Sequence, residues 1–238
     1  MEKLVLDERL AAAAELVPEE AALLDVGTDH GYLPAKLLLD GKITFAGASD
    51  INEDPLSKAV ATGEKYGVSD KMSFYLSNGL DAVPDIRRYT AISICGMGGE
   101  LIADIISRSE FVKECRVSLV LQPMSSVAEL SRYLADKGFK IKDERVAFAA
   151  GKVYRVILAV YSGVKCELSE AEHILGRINI DRGMAQPDFR LLLRKNILKY
   201  KRIIEGKKKG GADTAEDSGI LCDLINIAVK EGIEYEDM

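Results

Sequence analysis

The sequence predicts an α/β fold: a mainly parallel seven-stranded sheet whose last strand runs antiparallel, followed by a C-terminal α-helical hairpin. Three observations carry this expectation. Short runs of β-branched and aromatic residues alternate with segments of helical periodicity up to about residue 108, as strands and crossover helices do in a parallel sheet. The last two apolar runs are separated only by Ala149-Ala150-Gly151-Lys152, too short for a crossover, so they pair antiparallel. Beyond Ser162 the pattern is helical alone.

Taken in order, residues 6–17 place Leu6, Leu10, Ala13, Ala14 and Val17 on one helical stripe, closed by Pro18, which a helix interior does not accept. Strands are predicted over 23–26, 43–48, 73–76, 91–94, 117–121, 139–148 and 153–160. Helices are predicted over 32–40, 54–66 and 100–108. The stretch after Leu76 contains Gly, Pro and Asp and reads as loop. Ser169 and Glu172 have capping-box spacing. Phe189, Leu193, Ile197, Tyr200 and Ile204 then recur at helical spacing as far as Gly206, and residues 207–211 read as a turn. Ile220, Leu221, Leu224, Ile227 and Ala228 give a second stripe ended by Gly232. The expected division is a sheet domain over 1–163 and a helical, coiled-coil-like unit over 164–238.

A length of 238 residues fits one full domain and an appendage. Hydrophobic residues at 47% and charged residues at 29% exclude a disordered chain. The net charge of −6 excludes a uniformly basic coat but not a local basic patch. Cys95, Cys115, Cys166 and Cys222 form no C-x-x-C pair, and only His30 and His173 could join them, so no metal site is expected. Acidic residues interrupt the apolar N-terminal stretch, and no long charge-free run follows. A soluble protein of a reducing cytoplasm, without membrane contact, is expected.

The first strand runs Leu23-Leu24-Asp25-Val26 into Gly27-Thr28-Asp29-His30-Gly31. Glycines there let the backbone approach a ligand closely. The spacing D-x-G-x-D-x-G differs from the dinucleotide fingerprint G-x-G-x-x-G. Asp29 would repel a passing phosphate and would suit a cation; S-adenosylmethionine carries a sulfonium and an ammonium, and an ordinary strand-loop-helix turn of an enzyme with some other nucleotide is the alternative. His30 lies in the loop, and contact with ligand and a purely structural place are equally compatible with that position. The second strand ends at Asp50-Ile51-Asn52. Asp50 could hold both ribose hydroxyls, or cap the helix that follows. The third ends at Asn78-Gly79, either an adenine-edge contact or an Asn-Gly turn. The fourth ends in Cys95-Gly96-Met97-Gly98-Gly99-Glu100, whose bare backbone suits close approach of a flat acceptor base. Its alternative is a glycine-rich helix entry. Cys95 reads as a small buried residue rather than a nucleophile, having no basic neighbour in sequence. An antiparallel seventh strand, against the six parallel strands of the dinucleotide fold, predicts a Rossmann-like class I methyltransferase sheet.

DVGTDHGYLP, SDIN, SNGL, CGMGGELI and LQPMSS, in this order, resemble the bacterial tRNA (adenine(22)-N(1))-methyltransferase family over nearly the whole chain. DHGYLP and CGMGG are the specific elements. The resemblance implies a class I methyltransferase domain with a C-terminal helical hairpin. It places S-adenosylmethionine at the loop of Gly27, Asp29, His30 and Gly31, at Asp50 and at Asn78-Gly79, with the adenine entering beside CGMGG. Two positions depart from the family pattern. Met124 follows Gln122-Pro123 where relatives carry Asn, and Arg155 follows Tyr154 where they carry an acid.

Between 190 and 209 nine cations, Arg190, Arg194, Lys195, Lys199, Lys201, Arg202, Lys207, Lys208 and Lys209, face one acid, Glu205. A net +8 in a chain of −6 reads as an RNA-backbone footprint; a solvated helix face is the alternative. The expectation is therefore an S-adenosylmethionine-dependent methyltransferase, acting as a monomer on N1 of an adenine in the tRNA D-arm. Asp25, Gly27, Asp29, His30, Gly31, Asp50, Ile51, Asn78, Gly79 and Gly96 are expected to bind the cofactor. Asn78, Cys95, Gly96, Met97, Gly98 and Gln122 are expected at the reacting base. A methyltransferase for DNA or a small molecule, or a non-catalytic RNA-binding protein, are the rival readings.

Overall fold

The computed structural model describes residues 3–233. Its elements are α1 (Glu8–Leu16), β1 (Ala21–Val26), α2 (Tyr32–Leu39), β2 (Ile43–Asp50), α3 (Glu53–Tyr66), β3 (Met72–Leu76), β4 (Ala91–Gly98), α4 (Gly99–Ser107), α5 (Glu110–Glu114), β5 (Ser118–Ser125), α6 (Val127–Asp136), β6 (Phe139–Ala149), β7 (Lys152–Tyr161), α7 (Glu170–Leu175), α8 (Arg177–Arg182), α9 (Phe189–Lys209) and α10 (Ala215–Lys230). The strands form one sheet in the order β3-β2-β1-β4-β5-β7-β6. β7 runs antiparallel between β5 and β6, with Leu121 opposite Ile157 and Phe148 opposite Val153. The order reverses between β1 and β4, which opens a crevice at the carboxyl ends of those two strands.

Local chemistry sets the boundaries. The Asp7 carboxylate accepts from the Leu10 N–H at 2.7 Å and starts α1. At α7, Ser169 and Glu172 form the expected capping box. Residues 77–90 are loop apart from one short turn of 3₁₀-helix at Ile86–Arg88. Two expectations change. The helix α6 was not legible, although Leu130, Ser131, Leu134 and Ala135 form its buried face. And α9 runs through Gly206 to Lys209, so 207–209 are helical and not a turn. Lys209 pairs with Glu205 one turn earlier at 2.6 Å, and Lys207 pairs with Asp217 of α10. These contacts offset the cost of about 1 kcal/mol for a helical glycine.

One apolar layer packs α1 to α3 on the sheet through Leu16, Leu33, Leu37 and Ala59. The other packs α4 to α6 through Ile102, Ile106, Leu130 and Leu134. A third cluster joins the C-terminal helices to the sheet, with Val146 and Val153 against Phe189, Leu193 and Leu224. At this junction Arg155 and Glu144 form a fully buried ion pair. Arg155 Nη1 also donates to the carbonyls of His173 and Ile174, and Glu144 Oε2 accepts from the Ile178 N–H at 3.1 Å. Each charge is thus neutralised by groups from both sides of the 163/164 division, as a buried pair requires. No helix among the described residues is long and apolar enough to cross a membrane.

Candidate active site

The carboxyl ends of β1 and β4 enclose a cavity of about 310 Å³ lined by Asp25, Gly27, Thr28, Asp29, His30, Cys95, Gly96, Arg9 and Met124, among others. Gly27 has φ 71°, and a Cβ there would collide with Met97 Cε. Both the turn and the close approach require glycine. The Gly27 and Thr28 N–H groups donate to the Ser49 carbonyl at 2.8 and 3.1 Å, which ties the loop to the tip of β2. Asp25 is buried, with Oδ1 accepting from Ser93 Oγ at 2.6 Å and Oδ2 from Thr28 Oγ1 at 2.8 Å. Desolvation pushes its carboxyl up to about 6, against the two hydroxyl donors and Arg9, which favour the charged form. Asp29, at φ 48°, is mostly exposed, 3.7 Å from the His30 ring. The His30 ring stacks on Tyr32 at 5.0 Å between centroids.

The sequence-predicted residues divide into three groups. Asp25, Gly27, Asp29, His30, Cys95 and Gly96 meet in the cavity. Asp50, Ile51 and Asn78 lie beyond it at the tips of β2 and β3, held side by side because the Ser77 N–H donates to the Asp50 carbonyl at 2.8 Å. Asp50 Oδ1 accepts from the Asn52 N–H at 2.9 Å, so one oxygen serves the turn into α3, as the capping alternative supposed. Asn78 is exposed and Ile51 presents an exposed apolar side chain. The third group owes its residue type to packing. A Cβ at Gly31 would strike Ala59 of α3, one at Gly79 would press on Ile105, and one at Gly99 would overlap the Ser126 carbonyl. Gly98 sits against Ser125 Oγ. Of the glycines at 96, 98 and 99, only Gly96 lines the cavity.

Gln122 was expected to hold the base, but it is fully buried and its amide is engaged within the protein. Oε1 accepts from Arg9 Nη1 at 2.6 Å and from the Gly96 N–H at 3.1 Å, while Nε2 donates to the Pro123 carbonyl at 3.0 Å. It therefore holds the carboxyl end of β4, where the pairing with β5 shifts register at Gly96. Arg9 is the residue that sequence reasoning missed. It is separated from Gln122 by 113 positions, and an arginine beside an apolar stripe carries no local signal of a site. The Cys95 thiol is pushed up by desolvation and by the nearby Asp25, so it is no nucleophile.

These residues fit S-adenosylmethionine. Carboxylates of Asp25 and Asp29 border the cavity where a sulfonium and an ammonium need anions, Gly27 and Gly96 line it without a Cβ, and Asp50 stands one strand away with an oxygen to spare. Among the described residues no group of His, Cys, Asp and Glu could hold a metal ion.

Of the nine cations in the basic window only Lys207 and Lys209 form ion pairs among the described residues. The other seven lie outside the buried stripe of Phe189, Leu193, Ile197 and Ile204, with Lys195 Nζ donating to the Val153 carbonyl of β7 at 3.1 Å. A second cleft lies between the end of β5 and this helix, and Met124 borders both it and the cavity.

Residues 6–157 match the model of a methyltransferase domain family. The chain is 33% identical over 159 residues to the tRNA (adenine(22)-N(1))-methyltransferase of Bacillus subtilis, covering 67% of this chain and 66% of that relative, just under two thirds of its length. A Streptococcus pneumoniae protein solved in complex with S-adenosyl-L-methionine is 30% identical, with a TM-score of 0.80 covering 94% of this chain and 99% of that one. The crystal structure of the B. subtilis m1A22 tRNA methyltransferase superposes with a TM-score of 0.76 at 26% identity, covering 96% and 99% of the two chains. Sheet order and relatives agree: the chain belongs to the tRNA (adenine(22)-N(1))-methyltransferase family of S-adenosylmethionine-dependent enzymes.

Proposed function

We propose that this protein methylates N1 of the adenine at position 22, in the D-arm of tRNA, using S-adenosylmethionine. The observation that carries the reading is the sharing of Met124 between an acid-bordered cavity and a cleft under a cationic helix. A methyl donor with positive charge and an RNA backbone with negative charge are thereby served on adjoining surfaces. When bound, the cofactor supplies an electrophilic methyl group. N1 of neutral adenine already has an in-plane lone pair, so the protein need not remove a proton before attack. Its work is alignment and charge.

Asp25 and Asp29 favour the cationic donor, and Asp29 also favours the cationic methylated base. Asp50, Ile51 and Asn78 take the adenosyl part along the strand tips. The Gly96 carbonyl and the Met97 backbone border the acceptor, held in place by Gln122 and Arg9. The adenine must leave its stack to reach the cavity. The unit over 164–238 supplies the RNA contacts through Arg190, Arg194, Lys195, Lys199, Lys201, Arg202 and Lys208, and one chain carries both surfaces, so a monomer suffices. Four free cysteines suit a reducing cytoplasm.

Incubation with S-adenosylmethionine and a tRNA transcript, followed by mass-spectrometric mapping, tests this reading. N1-methyladenosine at position 22 is the expected product. Unmodified transcript, or a methyl group on another base, would refute it.

A further inference from the structure

The cleft between β5 and α9 has a volume of about 210 Å³, below the roughly 300–1,000 Å³ typical of small-molecule pockets. Its lining includes the start of α6. Ser126, the residue before that ten-residue helix, is left-handed at φ 50° and gives no side-chain cap. Val127, Ala128 and Glu129, the first turn of α6, line the cleft, and their N–H groups have no side-chain acceptor, an arrangement that can bind anions. An independent observation points the same way. Arg155 also lines the cleft, its side chain is fully buried, and its Nε has no hydrogen-bond partner although both Nη atoms are engaged. A buried unmet donor is costly.

Charge completes the picture. Lys195 and Lys199 stand on the α9 side of the cleft and have no acidic partner among the described residues. Lys195 Nζ donates to the Val153 carbonyl at 3.1 Å, which holds its ammonium against the cleft. The one acid of the lining, Glu129, faces Arg132 at 3.8 Å, and Arg132 is further paired with Glu170. The cavity for the methyl donor lies across Met124.

We propose that this cleft is a phosphodiester site that grips the RNA backbone next to the target adenosine. The proposal rests on the tRNA methyltransferase reading and adds to it a fixed anchor beside the reacting base. Anchoring at α6, Lys195 and Lys199 holds the flanking phosphate while the base swings past Met124 into the cavity.

The test is a double-mutant cycle on binding, read by filter retention of a tRNA transcript. One arm replaces the phosphodiester on either side of adenosine 22 by an uncharged methylphosphonate. The other is Lys195→Gln, with Lys199→Gln as a second variant should the first lower the melting temperature. In the wild type the neutral linkage should weaken binding about tenfold, the usual scale of a lost charge-assisted contact. In either variant the same replacement should cost less than about twofold, with affinity for S-adenosylmethionine unchanged. Losses that simply multiply, in a wild type that does methylate position 22, would overturn this site and leave the proposed function standing. A wild type that does not methylate the transcript would overturn the function first, and this site with it. If inorganic phosphate up to tens of millimolar relieves the penalty of the neutral linkage, the cleft takes free phosphate as well as the backbone, and the anion chemistry stands.

Discussion

Replacing Asp25 by Asn isolates the buried charge of the cavity proposed for the cofactor while keeping its volume. In the folded protein the carboxyl titrates near 6, against 3.8 for the free group, because burial disfavours the anion. That gap corresponds to roughly 3 kcal/mol of preference for the neutral form. The native state therefore holds a proton that the unfolded state releases between about pH 4 and 6, and stability from this group falls as pH rises through that window. Above about pH 6 the contribution is flat. Asp25→Asn removes the dependence, since the amide is neutral throughout. Its Nδ2 must also be accommodated by Ser93 and Thr28, whose hydroxyls can rotate to accept. Urea denaturation of both proteins from pH 4.5 to 7.5 should show the variant gaining on the wild type as pH rises, reaching about 1–3 kcal/mol more stable above pH 6. The gain in stability accompanies a loss of function. Wild-type affinity for S-adenosylmethionine should fall below pH 6, towards a limit of about tenfold per pH unit, and the variant should bind weakly at every pH. A stability difference that is constant with pH, or that shrinks as pH rises, would refute the argument.

Three further outcomes are expected. Asp50→Ala should weaken S-adenosylmethionine binding about tenfold in calorimetry while costing about 1 kcal/mol of stability through the lost turn contact to Asn52; unchanged affinity with the same loss of stability would make Asp50 only a cap. Arg9→Met keeps the aliphatic stem but leaves Gln122 with one donor fewer, and kcat/KM on tRNA should drop about tenfold with cofactor affinity nearly intact; wild-type turnover would end its positioning role. Reversing Lys199 and Arg202 to Glu should lower tRNA affinity and flatten the plot of log affinity against log salt by about 0.7–0.9 per lost phosphate contact, and an unchanged slope would mean that this face is merely solvated.

Much of this architecture was legible because its signals are local. Apolar runs separated by loops gave all seven strands, and the four-residue link at 149–152 gave the reversed one. The candidate site was legible as a location, since topology alone brings the strand tips bearing Asp25, Asp50 and Asn78 to one edge. What escaped depends on distance along the chain. Arg9 meets Gln122 only once α1 has folded onto the sheet, and nothing in the spacing of either residue announces the other. Glycines were over-read for the same reason. The close approach of Ala59, Ile105 or Ser126, rather than of a ligand, explains Gly31, Gly79 and Gly99. The end of α9 was placed too early because Gly206 is a weak helix former, and the ion pairs that carry the helix past it lie on the next turn and on α10.

The buried pair of Arg155 and Glu144 has a consequence for substrate selection. Both charges sit under α7 and α8 and are tied to their backbone through Arg155 Nη1 and Glu144 Oε2, so the helical unit cannot swing relative to the sheet without stranding a charge, a loss of several kcal/mol. A helix of 21 residues is about 30 Å long. Fixed at its root, α9 becomes a ruler: under the proposed function, a tRNA seated along its cationic residues would present nucleotides at a set offset from the cavity. Choice of one adenine among many would then follow from how far it lies from the gripped arm, and the bases around it would matter chiefly through the shape they give the RNA.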